Sequence, residues 1–222
     1  MRWEFKKELG RKLVHLTSIL ILVIYIGVGR YSHRLALLTL TFILVILLEF
    51  EYFRIEHTKK TRIMQYLSKF RRKKEKAHMG GEIFFLIGAI LCLAIFDFRI
   101  AAAAILMETF GDMIAALVGK KFGRHKIFNL QKSWEGTIAE LCVNILIGWL
   151  LIRNTLDNSV WFLYTTQPLG NPIWPIIMVM AVTATVTEVV INKLDDNLLV
   201  PLFSGFNGQI ILLALSIQII PL

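Results

Sequence analysis

Asp112 is flanked by the apolar segments 101–110 and 113–118. There an ionised carboxylate costs about 2.5–3.5 kcal/mol near the middle of a membrane span, and a residue retained at that cost is a candidate for chemistry. On a helix, Asp112, Ala115 or Ala116, and Gly119 fall at offsets of three, four and seven, so their small side chains leave room beside the carboxylate. Glu108 lies one turn earlier on that face. Two carboxylates above a groove suit Mg²⁺ or another divalent cation, which takes one or two carboxylates and completes its shell with phosphate oxygens. The alternative is that Asp112 pairs with a lysine of a neighbouring helix and that Ala and Gly only pack. Beyond Gly119, the cations Lys120, Lys121, Arg124, Lys126 and Lys132 gather beside a turn, as a polyphosphate bridged to a metal requires. The expected chemistry is that of a membrane enzyme that holds a nucleotide at the surface and a lipid within the bilayer.

Lys132-Ser133-Trp134-Glu135-Gly136-Thr137 opens the next apolar run. Ser133 reads as an N-cap and Glu135 as a first-turn acid. Free amides at the helix start, reachable because Gly136 has no side chain, would face an anion. Ser133 and Glu135 serve equally well as plain caps. Near the N-terminus, Glu8, Arg11 or Lys12, and His15 share a helical face. Arg11 and Lys12 either clamp phosphate or only set topology. Further on, Glu188, Asn192 and Asp195 share a face on a continued helix, followed by Asp196 and Asn197. Acids so close to apolar sequence are costly unless they meet a cation such as a metal or Lys193. Gly80-Gly81-Glu82 marks a re-entry where two glycines permit either close approach to a ligand or a plain turn.

The elements that must position these residues are membrane helices. The chain has 222 residues and is 56% hydrophobic, with mean hydropathy +0.63; it has room for many spans and none for a separate soluble domain. The expected fold is all-α, a polytopic membrane helix bundle in a single domain over 1–222. Apolar windows place seven spans, at 13–28, 35–53, 82–96, 100–118, 136–152, 173–191 and 209–222, the third and last of them short.

The net charge of +9 does not point to nucleic acid, because of where it lies. Lys and Arg number five in 1–12, ten in 54–78, five in 119–135 and one in 192–207, whereas the alternate connections hold Arg30, Arg34, Arg99 and Arg153. That asymmetry puts the N-terminus, the basic loop and the candidate site on the cytoplasmic side and the C-terminus outside. The segment 54–78 places Ile63, Leu67 and Phe70 at helical spacing among basic residues. It fits an amphipathic helix on an anionic lipid surface, or a solvated connector. The first span lacks a small-residue cleavage site and is expected to remain in place. Cys92 and Cys142 lie in apolar runs, which argues against a disulfide framework or zinc site, and there is neither a P-loop nor a GxGxxG motif.

Taken in order, Glu8-x-x-Arg11-Lys12-x-x-His15, Gly111-Asp112-x-x-Ala115-x-x-x-Gly119, Lys132-Ser133-x-Glu135-Gly136-Thr137, and Glu188 with Asp195-Asp196-Asn197 resemble the CTP-dependent lipid kinases. That family comprises dolichol kinase, phytol kinase and the yeast-type diacylglycerol kinase, within the CTP-transferase superfamily. The resemblance runs from residue 8 to about 201. It implies transfer of the γ-phosphoryl group of CTP to the hydroxyl of a membrane lipid alcohol, with Mg²⁺ or another divalent cation. It makes Asp112 and Lys132 the catalytic candidates, and Arg11, Lys12, Gly119, Lys120, Lys132, Ser133 and Gly136 the nucleotide-binding ones. The candidate metal ligands are Asp112, Glu135, Glu188, Asp195 and Asp196, with Glu8, His15, Glu108, Gly81, Glu82 and Asn197 as supporting positions.

A phosphatidate cytidylyltransferase shares the Gly-Asp and Lys-Ser/Thr-x-Glu-Gly segments, but its C-terminal His-Gly-Gly-x-x-Asp-Arg stretch is missing from 185–208. A small transporter would distribute its acids across the membrane depth, whereas here most gather towards one side.

Overall fold

The computed structural model describes residues 19–56, 79–127, 132–152, 173–191 and 195–219. Among them are seven helices: α1 (Ile19–Gly29), α2 (His33–Glu56), α3 (Gly81–Ile95), α4 (Phe98–Phe122), α5 (Trp134–Ile152), α6 (Trp174–Val190) and α7 (Asp196–Ile219). Apart from one isolated bridge between Lys126 and Ser133, the described residues form no β-structure. The fold is an all-α membrane helix bundle. Four helices, α2, α4, α5 and α7, are long and apolar enough to cross a membrane, and α1, α3 and α6 are shorter apolar helices.

Helix α4 is the axis of the bundle. Every residue from Phe98 to Ile105 is buried, and such all-round burial marks a helix enclosed by others. One side of α4 packs with α1, α2 and α3 around Tyr25, Leu40, Phe85, Leu93 and Ala101. The other packs with α5, α6 and α7 around Met107, Ile147, Ile176, Ile177 and Met180. Ala101–Ala104 carry no side chain beyond Cβ, so neighbouring helices approach closely. On the periphery, Trp134, Ile138, Leu146 and Leu150 of α5, and Trp174, Met178, Val182, Val186 and Val190 of α6, are exposed at four-residue spacing. These stripes are apolar faces of the kind a bilayer would cover.

The last helix departs from the sequence expectation. A span over 209–222 is too short and too late, because α7 begins at Asp196. Ser204, Gly205 and Gly208 depress the local hydropathy, yet they are contact residues. A Cβ on Gly205 would meet the Phe96 ring at 2.6 Å, and one on Gly208 would meet Met180 at 2.5 Å. Pro201 sits inside this helix. Helix α6 ends at Val190 and Ile191 is extended, so no continuous helical face carries Glu188, Asn192 and Asp195. Asn192 and Lys193 lie outside the described residues, as does most of the basic segment, at 57–78.

Three sets of contacts bring the helix ends that carry the motifs to one end of the bundle. The Gly80 N–H donates to Glu51 Oε1 at 3.0 Å, Gly81 abuts the Asn197 side chain, and Lys132 reaches Glu188. The opposite end is fastened by Tyr25 hydrogen-bonded to His33 at 2.7 Å and by the Asp97 N–H donating to Gln209 at 2.8 Å.

Candidate active site

The site is built where α4, α5 and α6 meet. Helices α4 and α5 touch along a seam of small residues: a Cβ on Gly136 would lie 2.6 Å from the Ala115 carbonyl oxygen and 3.2 Å from Gly119 Cα. One turn deeper, a Cβ on Gly111 would lie 2.7 Å from Asn144 Oδ1 and 3.3 Å from Glu140 Cγ. The face Asp112–Ala115–Gly119 expected from the sequence is therefore a helix–helix contact face, with Asp112 half-buried at its edge.

Four polar side chains of this junction are almost fully enclosed: Glu108 at 3% exposure, Glu140 at 2%, Asn144 at 0% and Glu188 at 4%. Asn144 Nδ2 donates to Thr185 Oγ1 of α6 at 3.1 Å, while its Oδ1, equally buried, accepts no hydrogen bond. Glu140 lies within electrostatic reach of Glu188, Lys132 and Asp112. Lys132 Nζ donates to the Glu188 carbonyl oxygen and to Glu188 Oε1 at 3.3 Å. Because that carbonyl belongs to the last turn of α6, the ammonium also sits at the negative end of a helix dipole. Buried carboxyls are tolerated where such partners exist.

Ser133 caps α5 as expected, its Oγ accepting from the Gly136 N–H at 3.2 Å. The helix start, however, is not open to an anion. The Trp134 N–H donates to the His125 carbonyl and the Thr137 N–H to the Ser133 carbonyl, each at 3.0 Å. Glu135 is turned to the loop before it, where Oε1 accepts from the Arg124 and His125 amides at 3.1 Å and meets His125 Nδ1 at 2.8 Å.

Asp195, Asp196 and Asn197 begin α7. Asp195 Oδ1 accepts from the Asn197 N–H at 3.1 Å and from Asn197 Nδ2 at 2.6 Å, and the Asp196 carboxylate also accepts from the Asn197 N–H, at 3.1 Å. Gly81 lies against this Asn197 amide, and Glu82 is exposed in the first turn of α3. Lys120 is exposed in the last turn of α4. Glu8, Arg11, Lys12 and His15 lie outside the described residues. Among the described residues, no group of three or more His, Cys, Asp or Glu is placed to hold a metal ion.

The structure thus brings together Glu108, Asp112, Gly119, Lys132, Ser133, Gly136 and Glu188, and it leaves Glu135 with the neighbouring loop. Glu140, Asn144 and Thr185 are additions. The signal for Glu140 was present, since it is a carboxylate inside the apolar run 136–152, the same criterion that singles out Asp112.

No family model and no solved structure matches the chain. It is 30% identical over 140 residues to a phytol kinase of Synechocystis sp., covering 58% of this chain and 53% of that protein. It is 28% identical over 225 residues to a probable phytol kinase 2, chloroplastic, of Oryza sativa subsp. japonica, covering 95% and 68%. Identity is again 28%, over 139 residues, to the CTP-dependent diacylglycerol kinase 1 of Schizosaccharomyces pombe, covering 60% and 61%. The chain spans between about half and two thirds of the length of these relatives. The chain is thus similar to proteins named as phytol kinases and as a CTP-dependent diacylglycerol kinase.

Proposed function

We propose that the chain, as one domain over 1–222, transfers the γ-phosphoryl group of CTP to the hydroxyl of a membrane lipid alcohol, an isoprenoid alcohol or a diacylglycerol. The observation that carries this reading is the gathering of buried Glu140 and Glu188 with half-buried Asp112 and Lys132 at one end of a membrane bundle. The names of the relatives supply the nucleotide and the class of acceptor. In the reaction the lipid oxygen forms a bond to the γ-phosphorus, the bond from that phosphorus to the β–γ bridging oxygen breaks, and CDP leaves. The hydroxyl proton passes to the Asp112 carboxylate. Phosphoryl transfer rests mainly on positioning and charge neutralisation, and Lys132, with Arg11, Lys12 and Lys120, supplies cations for the phosphates.

A divalent cation fits the donor set, because Mg²⁺ needs one or two carboxylates when phosphate oxygens complete its shell. Asp112, with Glu188 or Glu108, would hold it. Bound there, it would neutralise charge on the β- and γ-phosphates. The 54–78 segment lies on anionic lipid in this reading, and the charge asymmetry supports a cytoplasmic N-terminus and site.

Following two labels tests the assignment. Purified protein in lipid vesicles, given CTP labelled at the γ-phosphorus or in the cytosine ring, should place only the phosphorus label in phytol or diacylglycerol. Cytosine label in lipid with release of pyrophosphate would make it a cytidylyltransferase instead.

A further inference from the structure

We propose that the loop joining α4 to α5, together with the outer face of α5, is a docking site for an anionic phospholipid, with the headgroup on the loop and an acyl chain along the helix. Helix α5 has 19 residues, about 28 Å at the rise of an α-helix, which is close to the hydrocarbon thickness of a bilayer. Its first residue, Trp134, therefore stands where hydrocarbon gives way to headgroups, the depth at which tryptophan is enriched. The loop is fastened at that same level. The Trp134 N–H donates to the His125 carbonyl and the Ile127 N–H to the Lys132 carbonyl, each at 3.0 Å, and Lys126 pairs with Ser133 in an antiparallel bridge.

With the backbone held, the exposed side chains of Arg124 and Lys126 are cations at a set depth, and Lys121, exposed in the last turn of α4, adds a third. The carboxylate of this patch, Glu135, is occupied by the Arg124 and His125 amides at 3.1 Å and by His125 Nδ1 at 2.8 Å. The surface offered to an anion is thus cationic. His125, Lys126, Trp134, Glu135 and Ile138 line an open hollow of about 620 Å³, and below it Trp134, Ile138, Leu146 and Leu150 stay exposed, with Cys142 exposed among them. That track is about 24 Å long, more than the half-bilayer of about 15 Å that one acyl chain occupies.

Helical geometry separates this track from the candidate active site. Gly136, Glu140 and Asn144 form the buried face of α5, and Ile138 lies two residues from both Gly136 and Glu140, about 200° around the helix. The lipid track and the seam with α4 are back to back. An apolar track accepts any acyl chain, whereas each Lys or Arg near the surface favours an anionic headgroup by about fivefold. Selectivity therefore resides in the loop.

The test uses the full chain in phosphatidylcholine vesicles with a trace of phosphatidylglycerol carrying a photoactivatable diazirine in its acyl chain, and cross-links are located by mass spectrometry. Labelling should concentrate on 134–150 and be displaced by unlabelled phosphatidylglycerol, not by added phosphatidylcholine. In Arg124→Gln/Lys126→Gln it should fall by about tenfold, with the melting temperature unchanged because both side chains are exposed. Arg30→Gln/Arg34→Gln, which removes the same charge elsewhere, should label as the parent chain does.

Equal labelling of 134–150 by a diazirine phosphatidylcholine would mean ordinary bilayer contact only and would overturn the proposal. So would an equal loss in the Arg30/Arg34 variant, which would make the effect one of net charge. Displacement of the probe by CTP or inorganic phosphate at constant ionic strength would assign the loop cations to nucleotide or free phosphate and overturn it as well. No arm depends on turnover, so the site stands or falls separately from the kinase reading.

Discussion

Two pairs of helices in this bundle are drawn to backbone contact by glycine, and only one encloses a site. Between α4 and α5, Gly136 lies against the Ala115 carbonyl, and polar groups around the seam find partners on α6: Lys132 with Glu188, and Asn144 Nδ2 with Thr185. Between α3 and α7, Gly81 lies against Asn197 and Gly88 against the Asn197 and Leu198 carbonyls. There Asp195, Asp196 and Asn197 satisfy one another within a single helix start. Close approach through glycine is thus an architectural device common to both. What distinguishes the first junction is that its hydrogen bonds cross from α5 and the residue before its cap to α6, so a ligand entering it can exchange with them. The second is built around one helix start and reads as a clasp.

The largest expected difference between the junctions is in chemistry. Asp112→Asn retains size and removes the carboxylate proposed to accept the hydroxyl proton, so transfer of γ-label to lipid should fall by about 100-fold or more. The melting temperature should stay close to that of the parent chain. Asp195→Asn, at the clasp, should cost less than a tenth of that loss. Equal losses would mean that both junctions belong to one site.

Next in size is the glycine contact itself. At Gly136 the atom a methyl group would meet is a backbone carbonyl at 2.6 Å, which yields only if the helices part. At Gly81 it is the Asn197 side-chain amide at 2.7 Å, which can rotate away. Gly136→Ala should therefore lower stability by about 1–3 kcal/mol, the range for overpacking, and reduce activity with it. Gly81→Ala should stay within about 0.5 kcal/mol. Thermal melting in detergent checks both; similar losses would show that the clasp is as rigid as the seam.

A smaller effect is expected at Thr185. Thr185→Val leaves Asn144 Nδ2 buried without the acceptor it now has at 3.1 Å. An unsatisfied buried donor costs about 1–3 kcal/mol, towards the low end where the chain relaxes. Melting of Thr185→Val beside Thr185→Ser, which keeps the hydroxyl, checks this: the serine variant should remain within about 0.5 kcal/mol of the parent chain.

Much of this architecture was readable from residue type and spacing. Six of the seven expected spans coincide with described helices to within a few residues of register, apart from the start of the first, which lies outside the described residues. Apolar runs of that length have few other solutions. The seventh failed because hydropathy scores Ser204, Gly205 and Gly208 as polar or neutral, when their smallness is what lets α7 touch Phe96 and Met180. At the site, Asp112 was visible as charge in apolar surroundings, and Lys132 as one of the cations gathered just before the next apolar run. Glu140 was passed over because no charged motif surrounds it in sequence; the charged groups within its electrostatic reach, Glu188 and Lys132, come from α6 and from the residues before α5. Glu135 was grouped with the metal ligands because sequence spacing cannot tell which way a first-turn side chain points.

That direction yields the smallest expected effect. Glu135 accepts from the Arg124 and His125 amides at 3.1 Å and faces His125 Nδ1 at 2.8 Å, so it holds the loop that joins α4 to α5 rather than the buried junction. Its side chain is 28% exposed and His125 is 79% exposed, and solvent screens such a pair strongly. Glu135→Gln keeps an oxygen for the two amides and loses the charge facing the imidazole. Transfer of γ-label should change by less than about threefold, while hydrogen exchange at Arg124 and His125 speeds up. If Glu135 were a metal ligand, the same variant would lose activity on the scale expected for Asp112→Asn, and the loop amides would exchange as before. Measuring exchange and turnover on one sample separates the two roles, because a loop fastener moves the first and a ligand moves the second.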